Sequence, residues 1–250
     1  MTTISKLAEN PIFNTPISLL KKLWSPPFEL YKAPCLRTNA KTPEKFLHIK
    51  TIASDVMPKI AAHLASQDKT PAETNVLIWG YGTILILPYI FTQMGFPVSG
   101  VEYGGKSSTD IKGNMFAKLE YLFLKNQKLK GFGNLNCFTR FSHLMPDNPV
   151  YDLAFIVNPH PGLWVSDSGL EQQIIEWTRW LKPGALSFLQ IDGDINDPEA
   201  IANKIFLRIL QGREFKTINI KFYSDTDAPF PSFYKDYTKN GNAVLTLEKI

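Results

Sequence analysis

Residues 74–102 open Thr74-Asn75-Val76-Leu77-Ile78-Trp79-Gly80-Tyr81-Gly82-Thr83, continue through an apolar stretch from Ile84 to Met94, and close Pro97-Val98-Ser99-Gly100-Val101-Glu102. An apolar run that breaks into a short glycine turn, passes through a helical pattern and returns as a second apolar run ending in an acid has the form of a nucleotide-binding βαβ unit. Glycine at 80 and 82 lets the backbone approach a ligand with no Cβ in the way. Glu102 falls about 20 residues after the turn, where a carboxylate accepts two hydrogen bonds from a ribose diol. The unit points to an adenosine-containing ligand. The plainer accounts, a structural strand-to-helix turn and an exposed loop acid, use the same residues and stay open at this point.

Outward from that unit, apolar β runs alternate with helical patterns, the arrangement that gives a parallel sheet with crossover helices. Strands are expected at 75–79, 97–102, 134–139, 151–157 and 185–191, with helices near 85–94, 111–129 and 168–181. Lys182-Pro183-Gly184 reads as a stop signal for the last of these. A helix over 197–210 then leads to two closing strands, 217–223 and 243–249, joined by a long aromatic loop holding Phe230, Phe233, Tyr234 and Tyr237. Ahead of the unit, residues 1–40 are rich in proline and carry one short amphipathic piece, Ile17 to Trp24, in which Trp24 and the nearby Phe28 anchor the segment or cover a cleft. Thr42-Pro43-Glu44 opens a helix running to about Ser66, which Pro58 should break or kink. The expected division is an N-terminal extension with helices over 1–70 and a nucleotide-binding domain over 71–250.

The chain has 250 residues, 44% of them hydrophobic, enough for one complete α/β domain with appendages. Its net charge of +4 comes mainly from dispersed lysines, which permits nucleic acid as a partner without indicating it. Cys35 and Cys137 are the only cysteines, with no Cys-x-x-Cys pair, so a reduced cytoplasmic setting and no metal site are expected. The N-terminal apolar residues are interrupted by Asn10, Pro11, Asn14 and Pro16, so no secretion signal is expected. No run approaches the roughly 20 apolar residues of a membrane span, and none is expected.

From about Pro71 to the C-terminus, four landmarks in this order resemble the class I S-adenosylmethionine-dependent methyltransferases. They are the glycine turn 79–83, the acid Glu102, the run Tyr151-Asp152-Leu153-Ala154-Phe155-Ile156-Val157-Asn158-Pro159-His160-Pro161, and Trp180-Leu181-Lys182-Pro183-Gly184 before a strand. The resemblance implies a Rossmann-like α/β fold: a seven-stranded, mostly parallel sheet with helices on both faces and an antiparallel C-terminal strand. It implies S-adenosylmethionine as cofactor, held by Gly80, Tyr81, Gly82, Glu102, Ser142 and Asn158. Asn158 would also face the methyl acceptor, a small molecule or an amine of a protein or nucleic acid. The family's first motif has an acid two residues before the first glycine and a third glycine after Thr83, where this chain has Ile78 and Ile84.

The residue types after each expected strand give that edge its chemistry. The amide oxygen of Asn158 and the carbonyl of Pro159 can both accept hydrogen bonds from an amino group and so align its lone pair. His160 is a candidate proton acceptor or stacking surface, against the plainer account of a hydrogen-bonded loop histidine. Arg140 and His143 follow the third strand, and Asp192 and Asp194 flank Gly193 after the fifth, where a polar turn is the ordinary explanation. His48 and His63 fall on the expected N-terminal helices in structural roles. Two other functions remain open on the sequence: a catalytically silent binding relative, suggested by Ile78 and Ile84, and a nicotinamide-dependent oxidoreductase built on the same βαβ unit.

Overall fold

The computed structural model of the chain describes residues 4–14, 49–79, 86–101, 135–139, 148–156, 178–192, 204, 207–209, 211–212, 214–223 and 242–250. Layering follows from strand β1 (Val76–Trp79), in which every residue is buried. Side chains alternate along a strand, so Val76 and Ile78 enter one apolar cluster while Leu77 and Trp79 enter another. A strand covered on both faces reads as a continuous apolar run, as this one does. β4 (Tyr151–Ile156) is built the same way, with Leu153 and Phe155 on the first face and Ala154 and Ile156 on the second.

The remaining strands are β2 (Val98–Val101), β3 (Leu135–Thr139), β5 (Leu181–Asp192), β6 (Phe215–Tyr223) and β7 (Asn242–Lys249). They form one seven-stranded sheet in the order β3-β2-β1-β4-β5-β7-β6. β1 to β5 are parallel to one another, and β7 runs antiparallel between β5 and β6.

Helices cover the first face. A short α turn (Ile49–Thr51) and a π turn (Ile52–Val56) lead into helix α1 (Met57–Ser66), and helix α2 (Ile86–Gln93) follows β1. Pro58 lies in the first turn of α1 and has no N–H to give to the preceding turn. The chain accommodates it by widening: the Met57 N–H reaches the carbonyl of Ile52, five residues back. The break expected at Pro58 thus takes the form of a π turn. Ile52, Val56, Met57, Ile60 and Leu64 pack with Leu87, Ile90 and Phe91 of α2, and Leu7 from a 3-10 turn (Ile4–Glu9) enters the same cluster. An aromatic column runs through it, with ring centroids of Phe91 and Phe155 4.6 Å apart and those of Phe155 and Phe188 stacked at 5.2 Å. On the second face Trp180 and Ile209 pack on the sheet, and Trp180 meets the ring of Trp79 at 5.2 Å.

One expected boundary moves. Leu181 belongs to β5 rather than to the helix before it, and β5 begins four residues ahead of Ala185. Leu181 pairs with Tyr151, and Val150 donates to the Trp180 carbonyl at 3.0 Å; the register then shifts, so that Leu153 pairs with Leu186. Pro183, which cannot donate, and Gly184, at φ +77°, lie inside that bulge. The stop signal is therefore a bulge within the strand.

The amino edge of the sheet is closed around Asp152, whose side chain is 2% exposed. Its carboxylate accepts Lys69 Nζ at 2.6 Å, Lys182 Nζ at 2.9 Å and the Asn75 N–H at 2.9 Å. The end of the α1 connection, the start of β1, β4 and the start of β5 meet at that one group.

Candidate functional site

Parallel strands bring their carboxyl ends to one edge, and here the register sets the last described residues of four of them level. Trp79, the last residue of β1, pairs with Val101 at the end of β2 and with Ile156 at the end of β4. Val101 in turn pairs with Thr139, the last residue of β3. β5 is described three residues further, from Leu189, which pairs with Ile156, to Asp192. Asp192 pairs with Asn242, which pairs with Tyr223, so β7 and β6 reach the same level as Asp192. β1 to β4 form a floor about 14 Å wide at the usual strand spacing, with β5, β7 and β6 beside it. Open parallel sheets bind ligands beyond such ends.

The chain leaves this floor into the residues singled out in the sequence. Gly80 is the next residue after Trp79, Glu102 the next after Val101, and Asn158 the second after Ile156. Gly80, Tyr81, Gly82, Glu102, Ser142, Asn158 and His160 themselves lie outside the described residues, as do Ile84, Arg140, His143, Asp194, His48, Trp24, Phe28 and the late aromatic loop. Of the two departures from the first motif, Ile78 is described. It is fully buried in the first-face cluster. The place of the motif acid is thus filled by packed hydrocarbon.

His63 lies on α1 toward the amino edge, half-buried, with Nε2 bonded to nothing. Burial pushes its pKa down, and Lys69 adds to this, against the opposing pull of Glu248 and Asp152. Its place far from the floor agrees with a structural role.

Sequence reasoning missed a polar cluster between the helical face and the ends of β6 and β7. Asp55, on the π turn, receives a short charge-assisted hydrogen bond from Lys221 Nζ and another from Tyr223 Oη at 3.1 Å. One turn on, Lys59 Nζ donates to Thr246 Oγ1 at 3.1 Å and to Asn219 Oδ1 at 3.4 Å. Burial works against ionisation of Asp55, but the hydrogen bonds from Lys221, Tyr223 and Ser54 outweigh it and hold the carboxyl below its ordinary range. For Tyr223, burial and then the Asp55 charge drive the phenol well above its ordinary value, so it stays a donor. The partners are 166 and 168 residues apart in sequence. No local motif can show such a pairing; the one signal available was polar residues at alternate positions late in β6.

No family profile matches the chain, and no curated protein matches its sequence. Solved structures do match in shape. A S-adenosylmethionine-dependent methyltransferase from Methanosarcina mazei superposes with TM-score 0.50 at 12% identity, over 74% of this chain and 97% of that one. The fold is that of the class I methyltransferases. The Burkholderia thailandensis 1,6-didemethyltoxoflavin-N1-methyltransferase, solved with its substrate and S-adenosylhomocysteine, gives 0.52 at 12% identity over 94% of this chain and 91% of that one. The [4+2]-cyclase SpnF gives 0.54 at 15% identity, over 88% and 94%. At these identities the methyltransferase fold is what is shared, and among the chains that share it is a cyclase. No described helix is long and apolar enough to cross a membrane.

Proposed function

We propose that the chain is a S-adenosylmethionine-dependent methyltransferase whose cofactor lies on the level floor formed by the ends of β1, β2 and β4. The observation that carries the reading is the pairing of Trp79 with both Val101 and Ile156, which starts the glycine turn, Glu102 and the Asn158 segment from adjacent points of one edge. Neighbours of the same fold were solved with S-adenosylhomocysteine, a glycopeptide N-methyltransferase among them at TM-score 0.52. Antiparallel β7 between β5 and β6 weighs against the nicotinamide reading, because dinucleotide folds end with a parallel sixth strand.

In this reading Gly80, Tyr81 and Gly82 bring backbone N–H groups close to the ligand, and Glu102 accepts from both ribose hydroxyls. Ser142 adds a hydroxyl from beyond β3. The bound cofactor supplies an electrophilic methyl group on a sulfonium. Asn158 and the Pro159 carbonyl orient the acceptor, an amine or a small molecule, for in-line attack, and His160 takes the proton the acceptor loses. Positioning is the main service the protein gives when the donor is already activated. The expected division into an extension over 1–70 and a catalytic domain over 71–250 goes with this proposal, as does a cytoplasmic location.

Calorimetric titration with S-adenosylhomocysteine tests it. Binding that weakens by at least about tenfold in Glu102→Ala is expected, the worth of roughly one charged hydrogen bond. Neither heat nor thermal shift at millimolar ligand would overturn the assignment. A second reading, a protein that binds the cofactor without transferring methyl, is favoured by buried Ile78 and by the cyclase among the neighbours. Binding with Asn158→Ala and wild type equally inert toward every acceptor tried would select it.

A further inference from the structure

Two local irregularities meet where the π turn crosses the β7–β6 side of the sheet. On the helical side, the π turn widens the chain ahead of Pro58 and carries Asp55. On the sheet side, Thr217 pairs with Leu247 and Asn219 with Thr246, leaving Ile218 as the extra residue of a β-bulge. Phe215 and Ile220 both pack against the second-face cluster although their positions differ by an odd number, which a regular strand forbids. The slip turns Asn219, Lys221 and Tyr223 to the first face, where Lys59 and Asp55 receive them. Each irregularity gives up regular backbone pairing, and both kinds concentrate where a side chain has to be re-aimed. Here two of them serve one cluster.

Its position ties the cluster to the edge. Tyr223 is level with Asp192, toward the carboxyl end of β5. Ile52 and Val56, from the same π turn as Asp55, pack in the cluster that holds Ile78 of β1 and Leu87 and Ile90 of α2. Those elements flank the glycine turn on either side in sequence.

We propose that Asp55, Lys221 and Tyr223 are positioning residues for ligand binding at the carboxyl edge, tying the π turn to the end of β6 and so fixing how the first-face helices seat over β1. The inference rests on the adenosyl-ligand reading above. A seat that is only partly populated must be ordered by the ligand as it binds, and apparent affinity falls by the fraction lost.

The test is calorimetric titration of S-adenosylhomocysteine into the full chain and its variants. Asp55→Asn and Tyr223→Phe are each expected to bind about three- to tenfold more weakly, with Asp55→Glu recovering part of the loss because it restores the charge. Gly184→Ala is the control: it strains the backbone at the opposite edge, lowers the melting temperature, and leaves the dissociation constant within about twofold. Tyr223→Phe removes a single hydroxyl, so it decides the matter even where Asp55→Asn does not fold. Wild type that binds nothing at millimolar ligand overturns the cofactor reading and this one with it. Wild type that binds, with Tyr223→Phe binding equally well and melting lower, overturns only the positioning role.

Discussion

Two carboxylates, one at each edge of the sheet, gather cross-chain partners in different surroundings. Asp152 at the amino edge is 2% exposed and joins two lysines and a backbone N–H. Asp55 at the carboxyl edge is 19% exposed, and its lysine partner is 48% exposed. A carboxylate buried as deeply as Asp152 depends wholly on its partners, whereas the half-exposed Lys221 can exchange Asp55 for water at little cost. The amino-edge carboxylate therefore carries more of the stability than the carboxyl-edge one.

Asp152→Ala should give the largest effect. It leaves the Asn75 N–H and two ammonium groups, 31% and 38% exposed and open to water, without their acceptor, a loss of about 2–3 kcal/mol. Urea denaturation reads it directly, and a loss under about 1 kcal/mol would remove the contrast between the edges. Acid titration gives the same answer from the other side. Burial opposes ionisation of Asp152, but Lys69, Lys182 and Asn75 hold its pKa below 3.8. The folded state then binds fewer protons than the unfolded one, so the stabilisation is complete above that value and drains away as pH falls through the lowered one.

Asp152 also shows where reading the sequence stops. β1 and residues 153–156 of β4 were legible because strands buried on both faces read as continuous apolar runs, and Leu77 and Ala154 need no partner to be named. Lys182 was read as part of a stop signal, since the carboxylate that employs it lies 30 residues away. Pro58 announced a break, yet whether the chain would kink or widen depended on the packing of Ile52 and Val56. The bulge at Ile218 changes which residues of β6 share a face, and no alternation count anticipates a single inserted residue. The candidate site was legible as residue types in an order, Gly80 to Glu102 to Asn158; what the described strands add is that their starting points are neighbours.

Gly184→Ala ranks next. At φ +77° a side chain is strained by about 1–2 kcal/mol. An added Cβ would meet Gln67 Nε2 at 3.5 Å, an ordinary contact, so no steric cost is added to the backbone one. The loss should appear in the melting temperature alone. Asp55→Asn is expected to cost less stability, about 0.5–1 kcal/mol after allowing for the exposure of Lys221. Its larger signature is ligand affinity. If the variant instead lost as much stability as Asp152→Ala with affinity unchanged, the two carboxylates would be doing the same job.

The smallest effect belongs to His63, and it sharpens the comparison most. Burial and Lys69 lower its pKa below 6.5, while Glu248 and Asp152 partly oppose them, and Nε2 has no acceptor to reward protonation. Above pH 6.5 the ring is neutral in both states and costs nothing. As pH falls below 6.5 the unfolded chain takes up the proton first, so stability declines from there toward the lowered folded value. Melting temperatures between pH 7 and pH 5 should show this slope in wild type and lose it in His63→Gln. In Asp152→Ala one of the two carboxylates that hold the pKa up is gone, so the decline should extend to lower pH. A slope unchanged by that substitution would mean that His63 does not feel the amino-edge charge, and that the network around Asp152 ends at its hydrogen-bonded partners.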